Sequence, residues 1–157
     1  MTTCGDAAIA TVVKDAGDDP DVTNRSRISV KVSYAQHEGI RFFGGEGIGT
    51  VTILGLGLPV GEAAINPIPR AMMVSELSSL YNGGLDVTIT LDGGAEIAKR
   101  TFNPRVGVFG GVSIIGTSGI LQPFSHEAFL ESIRREMKVA LANNCQMVAV
   151  NSGAKSE

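Results

Sequence analysis

The sequence predicts an α+β domain: a mixed or antiparallel β-sheet with two or three helices and many Gly-rich loops. Two segments alternate cleanly between apolar and polar residues, Ile28/Val30/Val32/Tyr34 and Leu85/Val87/Ile89/Leu91, which is the period of a half-buried strand. Two others, 70–81 and 125–143, carry apolar residues at helical spacing. Glycine accounts for 20 of the 157 residues, enough to punctuate many tight turns.

Residues 7–13 (Ala-Ala-Ile-Ala-Thr-Val-Val) read as a first strand entering an acidic turn. The strand at 26–34 follows, and 39–43 reads as its hairpin partner across His37-Glu38-Gly39. Residues 44–61 hold seven glycines and are expected to be loop with short extended pieces. A Pro-rich entry leads into the helix at 70–81 (Met72, Met73, Leu77, Leu80), then the strand at 85–91, and a short helical piece or turn after Gly93-Gly94-Ala95-Glu96. Residues 125–143 form the strongest helical pattern, with Ser125 as N-cap and Phe129, Ile133, Met137, Val139, Ala140 and Leu141 on the apolar face. Residues 146–150 read as a final strand, and 151–157 as the turn after it.

A net charge of −3 disfavours nonspecific nucleic-acid binding, which needs a basic field. No window reaches the length of apolar chain that crosses a membrane, and the N-terminus lacks the pattern of a signal peptide. Cys4 and Cys145 are isolated thiols without metal-type spacing. A cytoplasmic setting is the expectation.

Three motifs stand out. Lys14-Asp15-Ala16-Gly17-Asp18-Asp19-Pro20-Asp21-Val22-Thr23 packs four carboxylates into seven positions, with Pro20 excluding regular structure. Backbone N–H groups, a cation or a basic partner could each hold them together. A calcium loop is disfavoured, because Pro20 stands where glycine is needed and the twelfth position is Ser26. Gly44-Gly45-Glu46-Gly47-Ile48-Gly49 looks like a phosphate loop, but its third glycine has the wrong offset, and a close-approach backbone loop is the better reading. Asn66-Pro67 with Arg70 and Asn103-Pro104-Arg105 each set an amide and a guanidinium around a proline, and the pair reads as a surface for a carboxylate-rich ligand. Asn before Pro is expected in extended or turn geometry with its amide bonding outward. His37 and His126 read as surface residues.

These strings occur in order with Thr101-Phe102 and with Gly110-Gly111-Val112-Ser113-Ile114-Ile115-Gly116-Thr117. Together they make the chain resemble the cobalt-precorrin-5B C-1 methyltransferases of anaerobic cobalamin biosynthesis, from about residue 7 to the last. The resemblance implies methyl transfer from S-adenosylmethionine to C-1 of a cobalt-bearing tetrapyrrole, with cobalt present only as part of the substrate. On that reading Asp15, Asp18 and Asp19 are candidate catalytic residues that orient the ring or steer a proton. Lys14, Asn66, Arg70, Thr101, Asn103, Arg105, Thr117 and Ser118 are candidate substrate contacts, and Gly45, Gly47, Gly153 and Ser156 candidate cofactor contacts. No resident metal is expected. Partners would be the tetrapyrrole, a further copy of the chain or an adjacent cobalamin-pathway enzyme. Family members are about twice this length, so 1–144 is expected to be the central α+β domain without its native N-terminal segment. Residues 145–157 would open a C-terminal nucleotide-binding-like domain. Two rival readings are a non-catalytic module that grips an anionic tetrapyrrole or a partner subunit, and a structural domain whose glycine loops are packing devices.

Overall fold

A five-stranded mixed sheet forms the frame of the computed structural model, which describes residues 2–116 and 126–150. Its strands lie in the order β1 (Thr2–Cys4), β2 (Ala7–Val13), β3 (Arg27–Ala35), β6 (Gly84–Leu91), β4 (Ile40–Gly44). The alternating segments are its centre: β3 pairs antiparallel with β6 from Ile28↔Leu91 to Ala35↔Gly84. Leu85, Val87, Ile89 and Leu91 are all buried, so β6 is the spine of the core. The α+β expectation therefore holds.

One expected pairing does not form. β4 is not the hairpin partner of β3; it pairs in parallel with β6, Ile40↔Leu85 through Gly44↔Ile89. β6 is thus inserted between two strands that are neighbours in sequence. Residues 36–39 bridge over its first residue, where a Cβ on Gly84 would run into the His37 carbonyl. Glycine at 84 is what lets the link cross so closely.

Helix α1 (Pro67–Leu80) begins three residues before the predicted start. Pro67 and Pro69 occupy the first turn, where a missing N–H is no loss, and Asn66 before them is extended (φ −64°, ψ 159°) as expected. Met73 and Leu77 pack on the sheet, and α2 (Gly94–Ala98) adds Ile97 and Ala98. Ile48, Ile65 and Val112 complete this first core.

A second, smaller core gathers Val51, Ala64, Val106, Val108 and Val139. It lies beside the short pair β5 (Thr50–Val51) and β7 (Val108–Phe109), and is tied to the first core where Ile114 N donates to the Ala64 carbonyl at 2.7 Å. Among the described side chains of helix α3 (His126–Ala142), Val139 alone joins this core; Phe129, Leu130, Met137 and Leu141 are exposed, so the predicted apolar face is mostly unburied. The Val139 contact is close because Gly55 lacks a side chain: a Cβ there would sit 2.7 Å from the Val139 Cα. Asn143 fastens the same end, its Nδ2 donating to the Leu54 carbonyl at 3.0 Å.

Residues 146–150 are not a strand. They pair with nothing among the described residues, and Met147, Val148 and Val150 are exposed. Apolar composition marked them as strand, but a strand needs a partner edge, and none lies alongside.

Candidate functional site

The acidic run caps the β2–β3 hairpin. Lys14 N donates to the Ser26 carbonyl and Arg25 N to the Lys14 carbonyl, closing the loop base. Asp21 is its internal hub: its carboxylate accepts from Lys14 Nζ, from Thr23 N at 2.7 Å and from Thr23 Oγ1 at 2.6 Å. Burial pushes the Asp21 pKa up, but these hydrogen bonds and the Lys14 charge outweigh it and hold the carboxyl below the ordinary aspartate value. Asp15 closes an Asx turn, accepting from Gly17 N at 2.9 Å. Asp18 and Asp19 accept no side-chain hydrogen bond among the described residues. Lys14 is thus committed to Asp21 and Thr23, and Asp18 is the most open carboxylate of the run.

The glycine loop at 44–49 is built for close approach. Gly45 N donates to the Ile89 carbonyl at 2.8 Å, and Val112 N to the Gly47 carbonyl at 2.9 Å. A Cβ on Gly47 (φ +77°) would strike the Leu91 carbonyl, and one on Gly111 would strike the Gly47 carbonyl. Space beside Gly45 and Gly47 is filled by protein atoms, so neither forms an open cradle for a nucleoside cofactor. Their conformation and contacts are those of a packing junction between β6, α2 and the 110–112 turn.

Asn103 is held inside the same junction. It is 8 % exposed; its Nδ2 donates to the Gly111 carbonyl at 3.1 Å and its Oδ1 accepts from Ser113 Oγ at 2.9 Å. The expectation of an outward-bonding amide is corrected here: Asn103 opens a 3-10 helix (Asn103–Val106), and its amide staples the following turn instead. Thr101 is also turned inward, donating to the Ala98 carbonyl and accepting from Asn103 N. Arg105 is exposed and lies over the Phe102 ring, 5.4 Å from its centroid.

Arg70 lines a groove of about 540 Å³ that runs beside β4. Its Nε donates to the Ile65 carbonyl at 2.8 Å, its Nη2 to Glu62 Oε2 at 2.8 Å, and its guanidinium lies over Phe42. Asn66, four residues earlier, makes no side-chain capping bond. The other charged lining residue is Arg41, which sequence reading passed over because a lone arginine in a short strand carries no motif. No hydrogen bond or ion pair among the described residues links Arg70 or Arg105 to the acidic tip. Thr117, Ser118, Gly153 and Ser156 lie outside the described residues.

His37 is not the free surface residue expected. Its Nε2 is 2.8 Å from Asp86 Oδ1 and its Nδ1 3.1 Å from the Glu38 carbonyl, which pins the 36–39 crossing to β6. The pair joins residues 49 apart and leaves no trace in local sequence.

Among known proteins, the chain is 50% identical over 97% of its length to the cobalt-precorrin-5B C(1)-methyltransferase of Burkholderia lata. It is 50% identical over 98% to the protein of that name from Geobacillus thermodenitrificans. It spans less than half of these relatives, 43% and 42% of their lengths. The crystal structure of a cobalamin biosynthesis protein (cbiD) from Archaeoglobus fulgidus matches 81% of this chain and 42% of that one, with 28% identity and a TM-score of 0.51. The CbiD family model matches residues 1–123, and the chain belongs to the CbiD family.

Proposed function

We propose that this chain takes part in methyl transfer from S-adenosylmethionine to C-1 of cobalt-precorrin-5B in cobalamin biosynthesis, as its tetrapyrrole-facing portion. The observation that carries this reading is 50% identity, across nearly the whole chain, to relatives named for that reaction. In such a step a nucleophilic ring carbon takes the methyl group from the sulfonium sulfur, leaving S-adenosylhomocysteine, and donor and acceptor must be held in line. The acceptor is a ring with acetate and propionate arms, which suits the guanidinium groups of Arg70 and the exposed Arg105. Asn66, whose side chain makes no capping bond, is the amide of the two Asn-Pro pairs still available to those arms. Asp15, Asp18 and Asp19 would orient the ring or steer a proton from the hairpin tip. No step is assigned to Gly45 or Gly47, whose surroundings are filled. No helix among the described residues is long and apolar enough to cross a membrane, and a cytoplasmic setting is part of the proposal.

The first test is calorimetric titration of S-adenosylhomocysteine into the folded chain, followed by assay of labelled methyl transfer to cobalt-precorrin-5B. Saturable heat and labelled product would support a methyltransferase contained in this chain. A second reading, a non-catalytic tetrapyrrole-binding module, is favoured by the packed surroundings of Gly45 and Gly47. Tetrapyrrole binding without S-adenosylhomocysteine binding would select it. Failure to bind either would refute both readings.

A further inference from the structure

We propose that the groove along β4 seats the carboxylate arms of a flat polyanionic macrocycle, with Arg41 as the primary anchor and Arg70 as a second, latched anchor. This rests on the tetrapyrrole reading above and assigns that ligand a place. Ile40, Phe42, Gly44, Thr50, Gly61 and Ala63 form the walls, and the volume lies within the usual range for small-molecule sites, about 300–1,000 Å³. A groove of this shape takes one edge of a large ring and the arms that hang from it.

Three features point to this ligand chemistry. Arg41 is exposed and has no ion-pair partner among the described residues, so its planar fork is free to take a carboxylate bidentately. Phe43, 45 % exposed on the same strand, offers an aromatic face to a flat ring. β4 is the last strand of its sheet, and its outer edge presents main-chain groups with no strand partner. Arg70 differs from Arg41 because Glu62 already neutralises it at 2.8 Å while the Ile65 and Ala63 carbonyls fix its position. Glu62 is the more exposed of the pair, 42 % against 24 %, so an incoming carboxylate can replace it without disturbing the buried end of Arg70. Arg41 thus captures an arm, and Arg70 exchanges one carboxylate for another.

The test is a spectroscopic titration with uroporphyrin, a flat tetrapyrrole carrying acetate and propionate arms, and with its fully amidated derivative. Arg41→Gln should weaken uroporphyrin binding roughly ten-fold or more, the scale of one lost charge-assisted hydrogen bond. Glu62→Gln should strengthen binding several-fold by unlatching Arg70, and Arg100→Gln, exposed beyond α2, should leave affinity unchanged. Wild-type binding that survives Arg41→Gln, or that is equally tight for the amidated ring, overturns the groove while leaving the tetrapyrrole reading intact. No uroporphyrin binding by the folded wild type overturns both.

Discussion

Replacing Asn103 with alanine separates a structural amide from a ligand-binding one. Its side chain makes two hydrogen bonds at 8 % exposure, to the Gly111 carbonyl and from Ser113 Oγ. Each such bond contributes about 0.5–1.5 kcal/mol net, and stranding the Gly111 carbonyl adds about 1–3 kcal/mol. A combined loss of about 2–6 kcal/mol follows, with about 3 kcal/mol as a working value. For a domain of this size 1 kcal/mol moves the midpoint by about 2–4 °C, so a 3 kcal/mol loss lowers Tm by about 6–12 °C. Calorimetry and urea denaturation of Asn103→Ala, Ser113→Ala and the double variant would measure it, with a coupling of about 1 kcal/mol expected between the two positions. An Asn103→Ala protein that melts like wild type but loses uroporphyrin binding would refute the staple and return the amide to the ligand.

Gly47→Ala should abolish soluble folding, because a Cβ there collides with the Leu91 carbonyl. Gly57→Ala, with positive φ but open space, should cost only about 1–2 kcal/mol in urea denaturation. Asp21 titrates below its ordinary value when folded, so the stability it contributes is present above about pH 4 and is lost as pH falls through the folded pKa. Urea midpoints measured from pH 7 to pH 2 should therefore fall more steeply for wild type than for Asp21→Asn, which starts lower at pH 7. Asp18→Asn should leave Tm unchanged, since Asp18 is exposed and its side chain bonds nothing among the described residues; a fall of several degrees would make it a turn former. His37→Ala should destabilise by about 1–2 kcal/mol, measured as a shifted urea midpoint, through loss of its bond to Asp86.

What could be read in advance was local. β3 and β6 were legible because alternation is a property of adjacent residues, and α1 because its spacing repeats within one turn. The partner of β4 was not legible: residues 37–39 look like a hairpin turn, and only the distant Gly84 allows β6 to slide between. The packing role of the 44–49 glycines was foreshadowed by their wrong offset for a phosphate loop. Asn103 misled because Asn-Pro is an outward turn only when nothing waits inside, and Gly111 and Ser113 do wait there. Lys14 and Asp21 bracket one loop, yet their pairing depends on how that loop closes. Arg41 had no signal at all until β4 became an edge strand beside a groove.

The insertion of β6 between β3 and β4 has a consequence for how the chain reaches its native state. As the polypeptide emerges, β3 and β4 are complete and tethered by four residues well before β6 exists. Their simplest association is with each other, as an ordinary hairpin, and that contact occupies the place β6 must take. A hairpin formed in that way would have to open before β6 could pair, because local contacts close faster than distant ones. Refolding from denaturant should show a slow phase that shortens when Gly39, the left-handed residue of the link, is replaced by a residue that disfavours the tight β3–β4 turn. On that expectation, the crossing that pins β4 as an edge beside the groove makes that edge among the last pieces of the molecule to settle.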